Sequence, residues 1–113
     1  MGAGMTEHLD DRPYTAVASR SSLTVDTHLG KARRLQIWSR SAKGGFRLLE
    51  ERPAKLGCGG PDRWEDLAKD LSDCRAILVQ AAGDEPRRVF AEQGLNLVVC
   101  SGGVKDALAA VYG

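Results

Sequence analysis

Apolar and polar positions first alternate with the period of a strand, then recur with the period of a helix as the chain proceeds. Tyr14-Thr15-Ala16-Val17-Ala18-Ser19 is a short strand-like run, and a polar stretch from Arg20 to Arg34 follows it. Leu35-Gln36-Ile37-Trp38 and Phe46-Arg47-Leu48-Leu49-Glu50 both read with period two. Between them Ser41-Ala42-Lys43-Gly44-Gly45 suits a hairpin, and the loop Pro53 to Gly60 comes next. Asp62 with Glu65 predicts a capping box, preceded by Pro61. Trp64, Leu67, Ala68 and Leu71 then share one helix face. Ala76-Ile77-Leu78-Val79 is a continuous apolar run, as a strand covered on both faces requires. A second helix is expected from about Glu85 to Gln93, with Pro86 near its start and Gly94 as its stop. Leu95 to Val99 is the next strand, and Gly103 to Val111 a closing helix with Val104, Ala107, Leu108 and Val111 inward.

The order is strand, strand, strand, helix, strand, helix, strand, helix. Three antiparallel strands followed by two helical crossovers predict an α/β domain of three layers, with a mixed five-stranded sheet and helices on both faces. Residues 1–13 are polar, aperiodic and end in Pro13, so they are expected to form a mobile tail before a single domain over 14–113.

This topology gathers chemistry at one edge. If the first strand runs up, the loops Arg20 to Arg34, Pro53 to Gly60, Ala81 to Asp84 and Cys100 to Gly103 all meet at the upper end, where open α/β sheets bind ligands. Those loops carry His28, Cys58, Cys100 and the cations Arg20, Lys31, Arg33 and Arg34, beside helix N-termini that favour anions. The expectation is a rim for a negatively charged ligand that accepts His or Cys coordination. His28 and Cys58 should lie at this edge, within about 10 Å allowing for loop movement. Cys74 should lie at the other.

Each residue also has a plainer role. A histidine in a polar loop commonly caps or faces water, and the run Lys31 to Arg34 can be a solvated turn. Cys100 and Cys74 end or follow apolar segments and read as packing. Trp38 and Trp64 read as core. Gly57-Cys58-Gly59-Gly60 fails as a dinucleotide loop because Asp62 stands where glycine is needed. No Walker loop or Cys-x-x-Cys pair is present, and scattered carboxylates give no two-metal hydrolase.

Composition narrows the class. In 113 residues, 16 basic and 15 acidic side chains leave a net charge of +1, without the basic excess of a nucleic-acid binder. No apolar stretch approaches the roughly 20 residues of a membrane span, and no charged-then-apolar leader is visible. Three cysteines suit free thiols in a reducing cytoplasm better than a disulfide framework.

Val17-Ala18-Ser19 with Val25-Asp26-Thr27-His28-Leu29-Gly30-Lys31-Ala32 resembles the opening of the nitrogenase iron–molybdenum cofactor biosynthesis domain, of the NifX and NifB C-terminal type. Leu71-Ser72-Asp73-Cys74-Arg75-Ala76-Ile77-Leu78-Val79 is similar to that family's Leu-x-Asp-Cys-Asp-Ala-Val-Leu-Val segment. Gly83 with Pro86, Gly94-Leu95 and Ala107-Leu108 fit the same frame, so the resemblance runs from Thr15 to Tyr112. It implies a ribonuclease-H-like sheet ordered 3-2-1-4-5. It also implies a non-catalytic domain that holds an iron–sulfur cluster or iron–molybdenum cofactor precursor during nitrogenase assembly. Leu29 stands where the family has Phe, and the Gly loop is shorter than in the radical-SAM-fused members.

From the resemblance, His28 is the expected cluster contact, and Cys58 to Gly60 resembles a Cys-containing Gly loop. His28 and Cys58 are thus the expected iron ligands. Arg20, Arg33 and the Gly59 and Gly60 amides would offset cluster charge. The expected partners are nitrogenase cofactor-assembly proteins, with neither nucleic acid nor membrane, and the expected state is a cytoplasmic monomer. The competing expectation is a ligand-free interaction or regulatory module, the C-terminal part of a larger radical-SAM assembly enzyme.

Overall fold

A computed structural model describes residues 12–54 and 62–112. Strand β1 (Tyr14–Val17) is buried at every position after Tyr14, so it needs neighbours on both edges and covers on both faces. Strand β2 (Arg34–Arg40) pairs with it antiparallel, Ala16 opposite Ile37. Strand β4 (Cys74–Val79) pairs with it parallel on the other side, Ala16 opposite Ile77. Strand β3 (Phe46–Pro53) extends the β2 side antiparallel, and β5 (Asn96–Val99) extends β4 in parallel. The result is a mixed five-stranded sheet ordered β3-β2-β1-β4-β5, as the element order predicts.

Helices cover both faces. Helices α1 (Arg63–Asp70) and α2 (Asp84–Glu92) share one, where Trp64, Leu67, Leu71, Val89 and Phe90 pack on Ala16, Ile37 and Ile77. The Trp64 and Phe90 rings meet edge to face, 6.2 Å between centroids. Helix α3 (Val104–Tyr112) covers the other face, where Val104 and Leu108 join Val17, Trp38 and Leu78. Both tryptophans are core residues, as expected.

Two local expectations fail for physical reasons. Asp62 precedes α1 with φ −99° and ψ 11° and makes no side-chain cap. A capping box needs extended backbone at that residue, so Glu65 has nothing to complete. Strand β3 does not keep strict alternation: its register against β2 slips between Ile37 and Trp38, so that Ile37 faces Glu50 and Trp38 faces Leu48. Leu49 is the extra residue of a bulge, which leaves Leu48 and Leu49 both exposed. The described chain makes its first contacts at Arg12 and Pro13. The Arg12 guanidinium donates to the Cys74 and Gln93 carbonyls, and the Tyr112 hydroxyl donates to the Pro13 carbonyl at 2.6 Å.

Among the described residues two buried side-chain oxygens, Thr15 Oγ1 and Glu65 Oε1, have no hydrogen-bond partner. The Thr15 hydroxyl lies fully buried with no hydrogen-bond partner among the described residues. A desolvated, unpartnered hydroxyl costs about 1–2 kcal/mol. Thr15→Val keeps the β-branched shape and removes that cost, so it is expected to raise the urea midpoint at unchanged slope. A variant no more stable than the parent would show that the hydroxyl is satisfied in solution.

Candidate functional site

The loop between β1 and β2 is polar yet closely held. Ala18 N–H donates to the Leu78 carbonyl at 2.9 Å, carrying the β1–β4 pairing past the strand end. The Asp26 carboxylate then gathers the turn: it accepts from the Arg20 amide at 2.9 Å, the Thr27 hydroxyl at 2.8 Å and the Ser21 hydroxyl at 3.2 Å. These bonds, the Arg20 amide first, hold its pKa below the ordinary carboxylate value against a smaller opposing effect of burial. Ser22 sits in the left-handed region at φ 67°, a strained position for a non-glycine residue. Its hydroxyl accepts from Gln36 Nε2 at 2.6 Å, and Gln36 Oε1 accepts from the Trp38 indole at 3.2 Å, so the core itself grips the loop.

Further bonds join the rim loops. Val25 N–H donates to the Gly102 carbonyl and Val104 N–H to the Leu23 carbonyl, tying the β1 loop to the start of α3. Gln80 N–H donates to Thr27 and Leu29 N–H to Ala81, tying it to the end of β4. Ala54 N–H donates to the Arg33 carbonyl at 2.9 Å, so the loop leaving β3 starts beside Arg33. The described parts of the four loops therefore do meet at one edge.

His28 opens a single 3-10 turn, Leu29–Lys31. Its imidazole Nδ1 accepts from the Gly30 amide at 2.9 Å, which makes it a cap. In the neutral ring this geometry puts the proton on Nε2. A metal at Nε2 would need that proton moved to Nδ1, where it would face the Gly30 N–H donor to donor. The exposed ring can ligate only by swinging out of its cap.

Among the described residues, two cavities open on this edge, on either side of the turn. One, of about 480 Å³, is bordered by Arg20, Lys31, Arg33 and Arg34, with Glu51 as its acidic member. The second, of about 350 Å³, is bordered by His28, Leu29, Trp64, Pro86 and the acidic start of α2. Arg20 and Arg33 are thus brought together, while His28 faces the neighbouring cavity. Cys58, Gly59 and Gly60 lie outside the described residues, and so does the expected approach of Cys58 to His28. No group of three or more His, Cys, Asp or Glu side chains among the described residues is placed to hold a metal ion. Cys74 is buried at the opposite edge, where burial pushes its thiol up to about 12. Cys100 is half-buried at the end of β5, and burial raises its pKa too.

Sequence reasoning named the cations but passed over Asp26, which holds the Arg20 backbone, and Gln36 and Ser22, which grip the same loop. The signal was present only as a cluster of Ser, Thr and Asp from Ser19 to Thr27, the composition of a side-chain-bonded turn.

Against known proteins, the sequence model of the family described as dinitrogenase iron-molybdenum cofactor matches residues 12–113. The chain belongs to this family. FeMo cofactor biosynthesis protein NifB of Chlorobaculum tepidum is 38% identical over 104 residues, which cover 91% of this chain and 24% of that protein. NifB of Frankia alni is 33% identical over 103 residues, covering 85% of this chain and 20% of that protein. The chain therefore spans about a quarter or less of the length of these NifB relatives. Among solved structures, PH0822 superposes with a TM-score of 0.64 at 18% identity, covering 87% of this chain and 88% of that one, which shows a shared fold. No helix of the described residues is long and apolar enough to cross a membrane.

Proposed function

We propose that this chain is a non-catalytic carrier domain for an anionic iron–sulfur cluster or iron–molybdenum cofactor precursor in nitrogenase cofactor assembly. Membership of the family and the likeness to NifB proteins support the process. The observation that carries the binding role is the convergence of Arg20, Lys31, Arg33 and Arg34 on one cavity at the upper edge of the sheet. A sulfide-rich cluster carries negative charge, and four cations with one opposing carboxylate match it.

Under this reading Cys58 supplies a thiolate and His28 a ring nitrogen, both suited to iron. Ligation by His28 replaces its cap on Gly30, at about 1 kcal/mol. Arg20, Arg33 and the Gly59 and Gly60 amides offset the cluster's charge. The partners are other cofactor-assembly proteins, and the domain acts as a cytoplasmic monomer on a sheet of ribonuclease-H-like order.

Anaerobic reconstitution tests this. Iron and sulfide, or an isolated cofactor precursor, are offered, and visible absorption is read after gel filtration. The parent chain is expected to keep the chromophore, and Cys58→Ala and His28→Ala to lose most of it. Cys74→Ala should keep the chromophore while costing on the order of 1 kcal/mol, because it truncates a fully buried side chain at the far edge. A parent chain that retains no chromophore from any cluster overturns the carrier role.

A further inference from the structure

The edge of the sheet opposite the rim gathers cations of its own. The hairpin from Ser39 to Leu49 carries Arg40, Lys43 and Arg47 with no acidic residue. Arg75 joins them through a local defect in β4. Strict alternation would place Arg75 on the face of Ile77 and Val79, which pack in the core with α1 and α2. The register against β1 slips at this point: Tyr14 opposes Cys74 and Thr15 opposes Ala76, so Arg75 is an extra residue. Bulges re-aim side chains. This one brings the Arg75 guanidinium over the Tyr112 ring at the end of α3, 4.6 Å from its centroid. Arg40 reaches the same ring at 5.8 Å, and Phe46 stacks on it with 5.7 Å between centroids.

The cluster is firmly held but lacks an anion. Arg75 Nε donates to the Arg12 carbonyl at 2.9 Å, and the Tyr112 hydroxyl is engaged by Pro13. Both Arg75 Nη groups remain as a parallel pair of donors, the fork that fits one carboxylate. Among the described residues no carboxylate pairs with Arg40 or Arg75. Asp73, two residues before Arg75, is held by Arg52 at 2.8 Å. Arg75 is half-buried, so its charge is partly desolvated, and an incoming carboxylate relieves that cost. Two copies of so cationic an edge repel each other. A nucleic-acid strand would want an open aromatic face beside the cations, and the Tyr112 ring is already covered by Phe46 and Arg75.

From this we infer that Arg40 and Arg75, arranged around Tyr112, form a docking surface for an acidic segment of a partner protein. The surface lies at the end of the sheet away from the rim, so a docked partner leaves the rim open. That purpose rests on the carrier reading, whereas the surface itself does not.

Fluorescence anisotropy of labelled hexaglutamate with the full chain tests it. Binding should be saturable and should weaken as salt rises. Arg40→Gln and Arg75→Gln should each weaken it about tenfold, as loss of a charge-assisted bond does. The Arg40 side chain is exposed and donates no hydrogen bond among the described residues, so Arg40→Gln should keep the parent's melting temperature and read the charge alone even where Arg75→Gln unfolds. Lys105→Gln, an exposed charge near the start of α3, should change binding less than twofold. A thymidine hexanucleotide should bind more weakly than hexaglutamate. Asp10→Asn with Asp11→Asn, which neutralises the acids preceding Arg12 in the sequence, should leave the affinity within twofold. Absence of saturable binding, equal weakening by Lys105→Gln and Arg40→Gln, or a greater loss in Arg33→Gln than in Arg40→Gln overturns the docking surface. Tighter binding of the hexanucleotide overturns the protein partner, and so does marked tightening in the double asparagine variant, which makes this chain's own acids the occupant. Cluster retention on the same samples keeps the two claims apart. Hexaglutamate binding without retained cluster supports the docking surface and removes the carrier role, whereas retained cluster without hexaglutamate binding removes only the docking surface.

Discussion

Phe90→Ala is expected to lower stability by about 3–5 kcal/mol, the cost of emptying a fully buried aromatic site. Phe90 is completely buried on α2, and its ring meets Trp64 of α1 edge to face. Truncation removes that ring pair and leaves a void that neither helix can close without moving. Native domains are stable by only about 5–15 kcal/mol, so the variant should sit close to unfolding. The effect reaches the rim, because Trp64 and Pro86 border the cavity that His28 faces. Urea unfolding followed by tryptophan fluorescence reads the loss, and Phe90→Leu, which refills much of the volume, should cost about 1–1.5 kcal/mol. A loss below 1 kcal/mol in Phe90→Ala would mean that contact between α1 and α2 does not set the stability of that face.

The sheet was legible because its strands carry unmistakable patterns. Ala76 to Val79 is apolar throughout and is buried on both faces in the middle of the sheet. Gly44 and Gly45, at φ 93° and 76°, turn the chain between β2 and β3 where the sequence places a hairpin. What was not legible depends on partners distant in sequence. The turn Leu29–Lys31 is pinned by a bond from Leu29 to Ala81, and no local period announces it. That short turn is what divides Arg20 and Arg33 from His28. The bulge at Leu49 is likewise a property of two strands together, invisible in the alternation of one. Rim chemistry was legible as residue types, but its partition into two cavities was not.

Strand β3 raises a related question, since most of its residues face water and something other than burial must hold it. The strongest tether is Arg52. Its guanidinium donates to both Asp73 oxygens at 2.8 Å, to the Asp70 carbonyl at 3.0 Å and to Glu50 at 2.7 Å, joining the edge strand to the end of α1. Arg52→Gln is expected to cost about 1–2 kcal/mol, the value of a bidentate charged pair reduced for its partial exposure. The pH dependence identifies the source. The Arg52 bonds hold the Asp73 pKa below the ordinary 3.8, so the folded state binds its proton less readily than the unfolded chain does. The stabilisation is therefore complete above that value and fades as pH falls through the folded pKa. Asp26 also has a lowered pKa, but its partners are the Arg20 amide and nearby hydroxyls, so its contribution is the same in both proteins and cancels from their difference. Urea unfolding from pH 7 to pH 2 should show a gap between parent and Arg52→Gln that is steady at neutral pH and narrows in acid. A gap that stays constant down to pH 2 would assign the loss to the packing of the arginine stem and not to its charge.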